Sequence, residues 1–159
     1  MTATYEAIAT TTLSTTASNV DFTSISGSYT DLVVVVDAIL SAGNNSFGFR
    51  YNSDTGNNYS FTYLFGDGSA ATSGRQSNVS IADSGYISGT RSTNIVHIQN
   101  YSNSTTYKTT IAKSAISTNG IETTAGLWRS TNAITSIAIY SASSFLTGST
   151  FTLYGIKAA

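Results

Sequence analysis

Hydrophobic and polar residues alternate with a period of two along almost the whole chain. A half-buried β-strand gives this pattern, whereas an amphipathic helix repeats its apolar positions at i, i+3, i+4 and i+7. No segment of helical length follows the second pattern, so the sequence predicts almost no helix. The predicted strands cover residues 5–13, 19–25, 31–40, 46–52, 58–65, 77–87, 94–101, 106–116, 121–130, 134–141 and 149–157.

Short polar segments rich in Gly and Asn separate these strands, and the longest predicted loop covers residues 66–77. Many short strands without helical crossovers indicate an all-β protein, and we predict an antiparallel β-sandwich of the jelly-roll type. No repeat or shift in composition divides the chain, which predicts a single domain over residues 1–159 with a short N-terminal arm of about residues 1–5. The chain has no proline, so one common device that protects edge strands is missing.

The segment RYNSDTGNNYSFTYLF, residues 50–65, is predicted to be a hairpin with one aromatic face. The rings before and after its centre all fall on odd positions: Phe47, Phe49, Tyr51, Tyr59, Phe61, Tyr63 and Phe65. A three-residue turn at its centre would pair these rings across two strands, with Asp54 accepting backbone N–H groups and Gly56 in the left-handed conformation. The alternative of a calcium loop needs several carboxylates at close spacing, and we prefer the turn.

The composition excludes several classes of function. Ser and Thr each occur 26 times, charged residues make up 9% of the chain, and the net charge is −1. A nucleic-acid partner is not expected, because there is no basic stripe to contact phosphates. The absence of cysteine removes thiolate chemistry and cysteine-ligated zinc. The longest aliphatic run, residues 32–36, is too short for a membrane helix, and we expect no targeting segment.

The sequence offers few residues for catalysis, and we predict that the chain is not an enzyme and has no cofactor or metal site. His97 is the only histidine, and it lies on the polar face of a predicted strand. The motif GDGSAA at residues 66–71 fits a dinucleotide fingerprint in letters only, because no helix follows it. Most of the carboxylates fall at predicted strand ends or turns, so a glycosidase pair is a minor alternative.

The only tryptophan, Trp128, is predicted to anchor the sandwich or a subunit contact rather than to stack on a sugar. The polar N-terminal arm is short enough to reach a neighbouring subunit. The predicted partner-contact residues are Met1, Thr2, Ala3, Thr4, Tyr5 and Trp128.

Several segments of the sequence resemble those of a family of small virion proteins of tailed bacteriophages. They include YEAIATTTLS, YTDLVVVV, FRYNSDTGNNYS, GDGS, TAGLWRSTNAITSIAIYSAS and GSTFTLYGIK, which together cover most of the chain. The resemblance implies a jelly-roll sandwich that decorates a capsid or forms part of a fibre. The segment between residues 70 and 101 resembles the family least, and no catalytic residues are implied.

Taken with the resemblance, the sequence predicts a virion structural protein, most simply a decoration or cement protein that binds and stabilises the outer surface of the head. Its partners would be the major capsid protein or other virion proteins, and further copies of itself in a homotrimer, without nucleic acid or membrane. The alternative is a receptor-binding or carbohydrate-binding module on a tail or head fibre, with a host surface glycan as its ligand. The short chain without a shaft repeat favours decoration.

Overall fold

The computed structural model describes residues 4–116 and 120–157, and these residues form strands, turns and bends without a helix. The strands are β1 Tyr5–Thr12, β2 Ala17–Phe22, β3 Asp31–Ala38, β4 Asn45–Tyr51, β5 Tyr59–Gly66, β6 Ala71–Val79, β7 Ala82–Ile87, β8 Ser92–Gln99, β9 Lys108–Ile116, β10 Gly120–Trp128, β11 Ile137–Phe145 and β12 Thr150–Ile156. The all-β prediction is therefore confirmed.

The strands form two antiparallel sheets that pack face to face. The large sheet has the order β1-β12-β3-β8-β9-β10-β5-β6, and the small sheet has the order β2-β11-β4-β7. Strand β1 pairs with β12, β2 with β11, β3 with β8 and β4 with β7. This nested pairing, with β1, β12, β3 and β8 opposite β2, β11, β4 and β7, is the topology of a jelly roll. The predicted sandwich is confirmed, and β5, β6, β9 and β10 extend one of its sheets.

The core lies between the two sheets and is built from the residues that alternate inward along each strand. Strands β8 and β9 show this period most clearly, since every second side chain is buried and most of the others are exposed. Strand β3 departs from it, because Val33 is only 5% exposed although it faces outward. Its cross-strand neighbours Tyr154 and His97 cover it from both sides. Three of the four valines of this central strand are therefore buried, and Val35 on its outer face is half-buried.

The predicted hairpin between residues 46 and 65 is wrong. Strand β4 belongs to the small sheet, where it pairs with β11 and β7, whereas β5 belongs to the large sheet, where it pairs with β10 and β6. Phe49 and Phe61 are both buried, but they lie in different sheets and are not cross-strand neighbours. The rings of Tyr51 and Tyr59 do meet, with centroids 6.2 Å apart, across the sandwich.

The physical reason is that both strands point their odd-numbered side chains into the same core. A hairpin and a corner that carries the chain from one sheet to the other then require the same alternation, so residue parity does not distinguish them. The left-handed residues of this corner are Asn52 and Ser53, with φ of 52° and 58°, and not Gly56. Asn tolerates this conformation better than most residues, because its short amide can hydrogen-bond locally. Asn52 Oδ1 accepts the backbone N–H of Thr135 at 2.8 Å.

The predicted loop at residues 66–77 is also wrong for most of its length. A tight turn at Asp67–Ala70, in which Asp67 Oδ1 accepts the N–H groups of Ser69 and Ala70 at 2.8 and 2.7 Å, leads directly into β6. This edge strand is almost entirely exposed, so its sequence lacks the apolar positions that reveal a strand.

The small sheet covers only part of the large one. Its edge strand β7 packs over β9 and β10 and touches β5. Gly85 of β7 has φ +115°, and a Cβ there would collide with the side chain of Ser114 on β9. The close approach of β7 to β9 therefore requires glycine at position 85, both because its φ is positive and because a Cβ has no room there. Beyond β7, the inner face of β6 and of β5 from Tyr63 onward has no sheet of the described residues opposite it, and we call this region the ledge.

Removal of a core ring tests the arrangement of the two sheets. Phe49 is fully buried between Ile139 and Ala82 in register. We expect Phe49→Ala to lower the free energy of unfolding by about 3–5 kcal/mol, because it removes apolar contacts and leaves a cavity. Tyr107→Ala is the control, since Tyr107 is 54% exposed and its loss should change stability by less than about 0.5 kcal/mol. Urea unfolding followed by circular dichroism measures both, and equal losses would contradict the fold.

Candidate functional site

The corner between the two sheets is held by Asp54. Its Oδ2 accepts the indole Nε1–H of Trp128 at 2.7 Å, and its Oδ1 accepts the backbone N–H of Gly56 at 2.8 Å. Burial opposes ionisation of Asp54, but the hydrogen bonds from Trp128, Asn58 and Gly56 outweigh it and hold its pKa below the usual value. These contacts agree with the prediction that Asp54 is a turn residue. Its carboxylate also holds the indole ring of Trp128 in position.

Trp128 lies inside the core and is 2% exposed. Its ring stacks on Tyr59 with centroids 6.3 Å apart and also contacts Tyr51 at 5.5 Å. The hydroxyl of Tyr59 accepts the N–H of Tyr51 and donates to the carbonyl of Asp54, both at 3.1 Å. The indole therefore joins β10 to the corner, and this position leaves it little surface to offer to a partner.

The described part of the predicted arm begins at Thr4, because Met1, Thr2 and Ala3 lie outside the described residues. The carbonyl of Thr4 accepts the N–H of Lys157 at 3.1 Å. Tyr5 is the first residue of β1, opposite Ile156, and is 54% exposed. Strand β1 is an edge of the large sheet, so its outward backbone groups have no partner strand among the described residues. A further strand can add at such an edge.

The outer face of the large sheet is an extended surface with few charges. All four large aliphatic side chains that are exposed among the described residues lie on it: Leu64 at 64%, Ile95 at 49%, Ile111 at 42% and Ile121 at 68%. They belong to the adjacent strands β5, β8, β9 and β10, and the positions around them hold mainly Thr, Ser, Ala and Gln. On these four strands Lys113 is the one Lys, Arg, Asp or Glu that faces outward. We call this surface the contact face.

The inner face of the same sheet carries aromatic rings and a carboxyl group where the ledge begins. A hollow of about 260 Å³ lies there, lined by Asn44, Tyr63, Phe65, Thr72, Tyr86 and Glu122. The carboxyl group of Glu122 is held by one hydrogen bond, which Thr124 donates to Oε1 at 2.9 Å. Its Oε2 is buried and has no hydrogen-bond partner among the described residues. Burial raises the pKa of Glu122, and the charge of Asp83 raises it further.

Sequence reasoning missed this hollow, although one signal for it was present. In β10 the inward positions are Glu122, Thr124, Gly126 and Trp128, all of them buried. A glutamate at a position that the alternation assigns to the core must either be paired or serve a ligand. The alternation instead predicts that the rings of Tyr63 and Phe65 lie on the aromatic face of a hairpin, because it does not show that the two sheets differ in size.

Of the other candidates from the sequence, His97 lies on the contact face, and Asp31 and Asp37 have structural roles. His97 lies half-buried on the outer face of β8, and its Nε2 has no protein partner. Asp31 accepts the N–H of Asn100 at 2.7 Å, and Asp37 pairs with Arg91 at 3.0 Å. Among residues 4–116 and 120–157, no group of three or more His, Asp or Glu side chains could hold a metal ion.

No protein-family model matches the chain, and no curated protein is similar to it at a significant level. The described residues include no helix that is long and apolar enough to cross a membrane.

The Trp128–Asp54 hydrogen bond can be tested by removing its donor. Trp128→Phe keeps an aromatic ring but loses the indole N–H, and we expect a loss of about 2–3 kcal/mol in the free energy of unfolding, because a hydrogen bond to a charged group is lost. A double-mutant cycle with Asp54→Asn should give a coupling energy above about 0.5 kcal/mol. Strict additivity of the two changes in urea unfolding would show that the contact does not hold the corner.

The carboxyl group of Asp83 should make stability depend on pH. Burial raises its pKa from 3.8 to about 6, although the N–H of Gly85 favours the charged form. The folded protein then binds this proton more tightly than the unfolded chain, so the stabilisation is complete below about pH 4 and is lost as pH rises through 6. We expect the stability of Asp83→Asn relative to the wild type to rise by roughly 2–3 kcal/mol between pH 4 and 7. A difference that is constant with pH would refute this.

Proposed function

We propose that the protein is a virion structural protein of a tailed phage, a decoration or cement protein that binds the outer surface of the head through its contact face. The observation that carries the proposal is the concentration of the exposed large aliphatic side chains on this one face, with a single charge among them. The resemblance of the sequence to small virion proteins supplies the partner, which is the major capsid protein or another protein of the shell.

The chemistry of the contact face suits permanent burial against another protein. Burial of Ile95, Ile111 and Ile121 is favourable in proportion to their apolar area. The hydroxyl groups between them can hydrogen-bond to a partner without the large desolvation cost of a buried charge. The eight strands of the large sheet, about 4.8 Å apart and seven to nine residues long, give an outer face of roughly 800–900 Å², and the four strands that carry the exposed aliphatic side chains make up about half of it. A standard interface buries about 800 Å² on each partner.

Lateral contacts between copies would use the edge at β1. The backbone groups of this edge are free to pair with an extended segment, and strand addition needs no particular side chains. Residues 1–5 of a neighbouring copy are the proposed occupant, and a closed ring of three copies is the proposed assembly. The alternative function, a fibre module that binds a host receptor or glycan, would use a different surface and is separated by the experiment below.

The contact face can be tested on particles that lack the protein. We expect the double variant Ile95→Lys and Ile121→Lys to bind such particles at least tenfold more weakly than the wild type, because two charges would have to be buried. Ser41→Lys is the matched control, since Ser41 is exposed in the loop between β3 and β4, and it should bind normally. Far-UV circular dichroism checks that all the variants are folded.

The same particles distinguish decoration from the fibre alternative. Particles without the protein should break at a lower temperature yet still adsorb to host cells, and adding the wild-type protein should restore their stability. Deletion of residues 1–4 should weaken both attachment and trimer formation in sedimentation, while the isolated fold is kept. Stable particles that no longer adsorb would assign the protein to the fibre class instead.

A further inference from the structure

The ledge creates a hollow that the fold itself does not require. The small sheet ends at β7 while the large sheet continues through β10, β5 and β6, so the hollow has the inner face of the large sheet as its floor and Tyr86 of β7 as a wall. Its rings, Tyr63, Phe65 and Tyr86, are each half-buried. They are therefore held by the protein on one side and open on the other, as rings in ligand sites are.

Tyr63 is held in place by the strand beside it. It lies opposite Gly74 of the edge strand β6, and a Cβ at Gly74 would lie 2.6 Å from the Tyr63 hydroxyl and 2.7 Å from its ring. The ring therefore rests on the glycine backbone. The backbone of β6, rather than a side chain of the core, therefore holds the Tyr63 ring and its hydroxyl at the rim of the hollow.

Glu122 supplies a strong acceptor that the protein does not use fully. The residue is 4% exposed, and its buried Oε2 has no hydrogen-bond partner among the described residues. Buried polar atoms are satisfied in the great majority of cases, so an unsatisfied one calls for an explanation, and a bound ligand is one. The neighbouring ionisable groups are Asp83, Tyr86 and Tyr63, which affect one another electrostatically. No Lys or Arg is among the residues that line the hollow, so none of these side chains neutralises the carboxyl group of Glu122.

We propose that this hollow binds a neutral saccharide unit. The residues that would hold it are the rings of Tyr63, Phe65 and Tyr86, the carboxyl of Glu122 and the amide of Asn44. Flat rings contact the C–H faces of a sugar, while its hydroxyls both donate and accept hydrogen bonds, which matches the mixture of carboxyl, amide and hydroxyl groups around the rim. A volume of about 260 Å³ lies just below the ~300 Å³ at which sites for drug-sized ligands begin, which suits one sugar ring.

The charges around the hollow argue against an anionic ligand. Two carboxyl groups, Glu122 and Asp83, lie near it, and an anion would be repelled by both. An organic cation is the competing ligand class, because aromatic rings and a carboxylate also attract an ammonium group. The amide of Asn44 and the hydroxyl of Thr72 favour the saccharide, since an alkylated ammonium cannot accept their hydrogen bonds.

This inference does not depend on the proposed function, because the hollow and the contact face lie on opposite sides of the large sheet. A copy attached to a particle through Ile95 and Ile121 would keep the ledge turned away from the shell. A glycan could then bind to an attached protein as well as to a free one.

The test uses nuclear magnetic resonance on the full chain labelled with ¹⁵N. The probes are the methyl glycosides of glucose, galactose, mannose and N-acetylglucosamine, with choline as the cationic probe. We expect at least one glycoside to bind with a Kd in the millimolar range and to shift the backbone amides of residues 63–65, 86 and 122. Tyr63→Ala and Glu122→Gln should each weaken this binding at least fivefold, and Glu122→Gln keeps the size of the side chain.

Two variants serve as controls for these changes. Tyr107→Ala removes an exposed tyrosine outside the hollow, and Glu6→Gln removes a carboxylate on β1 at the opposite edge of the large sheet. Both should bind the glycoside as the wild type does. Three results would each overturn the proposal: no binding of any glycoside, binding that survives both Tyr63→Ala and Glu122→Gln, or binding of choline alone.

Discussion

A β-sheet buries a face only where a second layer covers it, and here a sheet of four strands covers a sheet of eight. The strands that match across the sandwich, β1, β12, β3 and β8 against β2, β11, β4 and β7, carry the jelly roll and most of the core. Of the remaining strands, β5, β9 and β10 add Tyr59, Ala112 and Trp128 to this core, whereas β6 is almost entirely exposed. The inequality of the two layers therefore determines where the molecule is closed and where it is open.

The corner at Asp54 makes this inequality possible. The chain leaves the small sheet at Tyr51 and enters the far half of the large sheet at Tyr59, with the two rings in contact across the core. The carboxylate of Asp54 closes the turn and also accepts the N–H of Trp128 from β10. One side chain thus links the turn to β10, the strand that pairs with β5.

The sequence predicts the fold class well because alternation is a local property. Strands such as β8 and β9 bury every second residue, and their turns carry Asp, Asn and Gly, so both are visible without knowledge of the partner strands. The choice of partner is not local. The odd-numbered rings of β4 and β5 fit a hairpin as well as a sheet-crossing corner, and the exposed strand β6 has no apolar period to reveal it. The hollow likewise combines a local and a non-local feature. The acidic residue Glu122 at a core position is visible in the sequence, but the ledge above it depends on which strands pair and is not.

Strand β10 shows how one sheet serves two surfaces. Its outward residues Ile121 and Thr123 belong to the contact face, whereas its inward residue Glu122 lines the hollow and accepts a hydrogen bond from Thr124. A period of two keeps these sets apart, so a substitution on one face leaves the other face in place. Adhesion to a surface and recognition of a small ligand make opposite demands. Adhesion needs apolar area without charge, whereas recognition needs polar groups at fixed positions between aromatic rings. A sheet that is exposed on its outer face and uncovered at one end of its inner face meets both demands with a single layer of backbone.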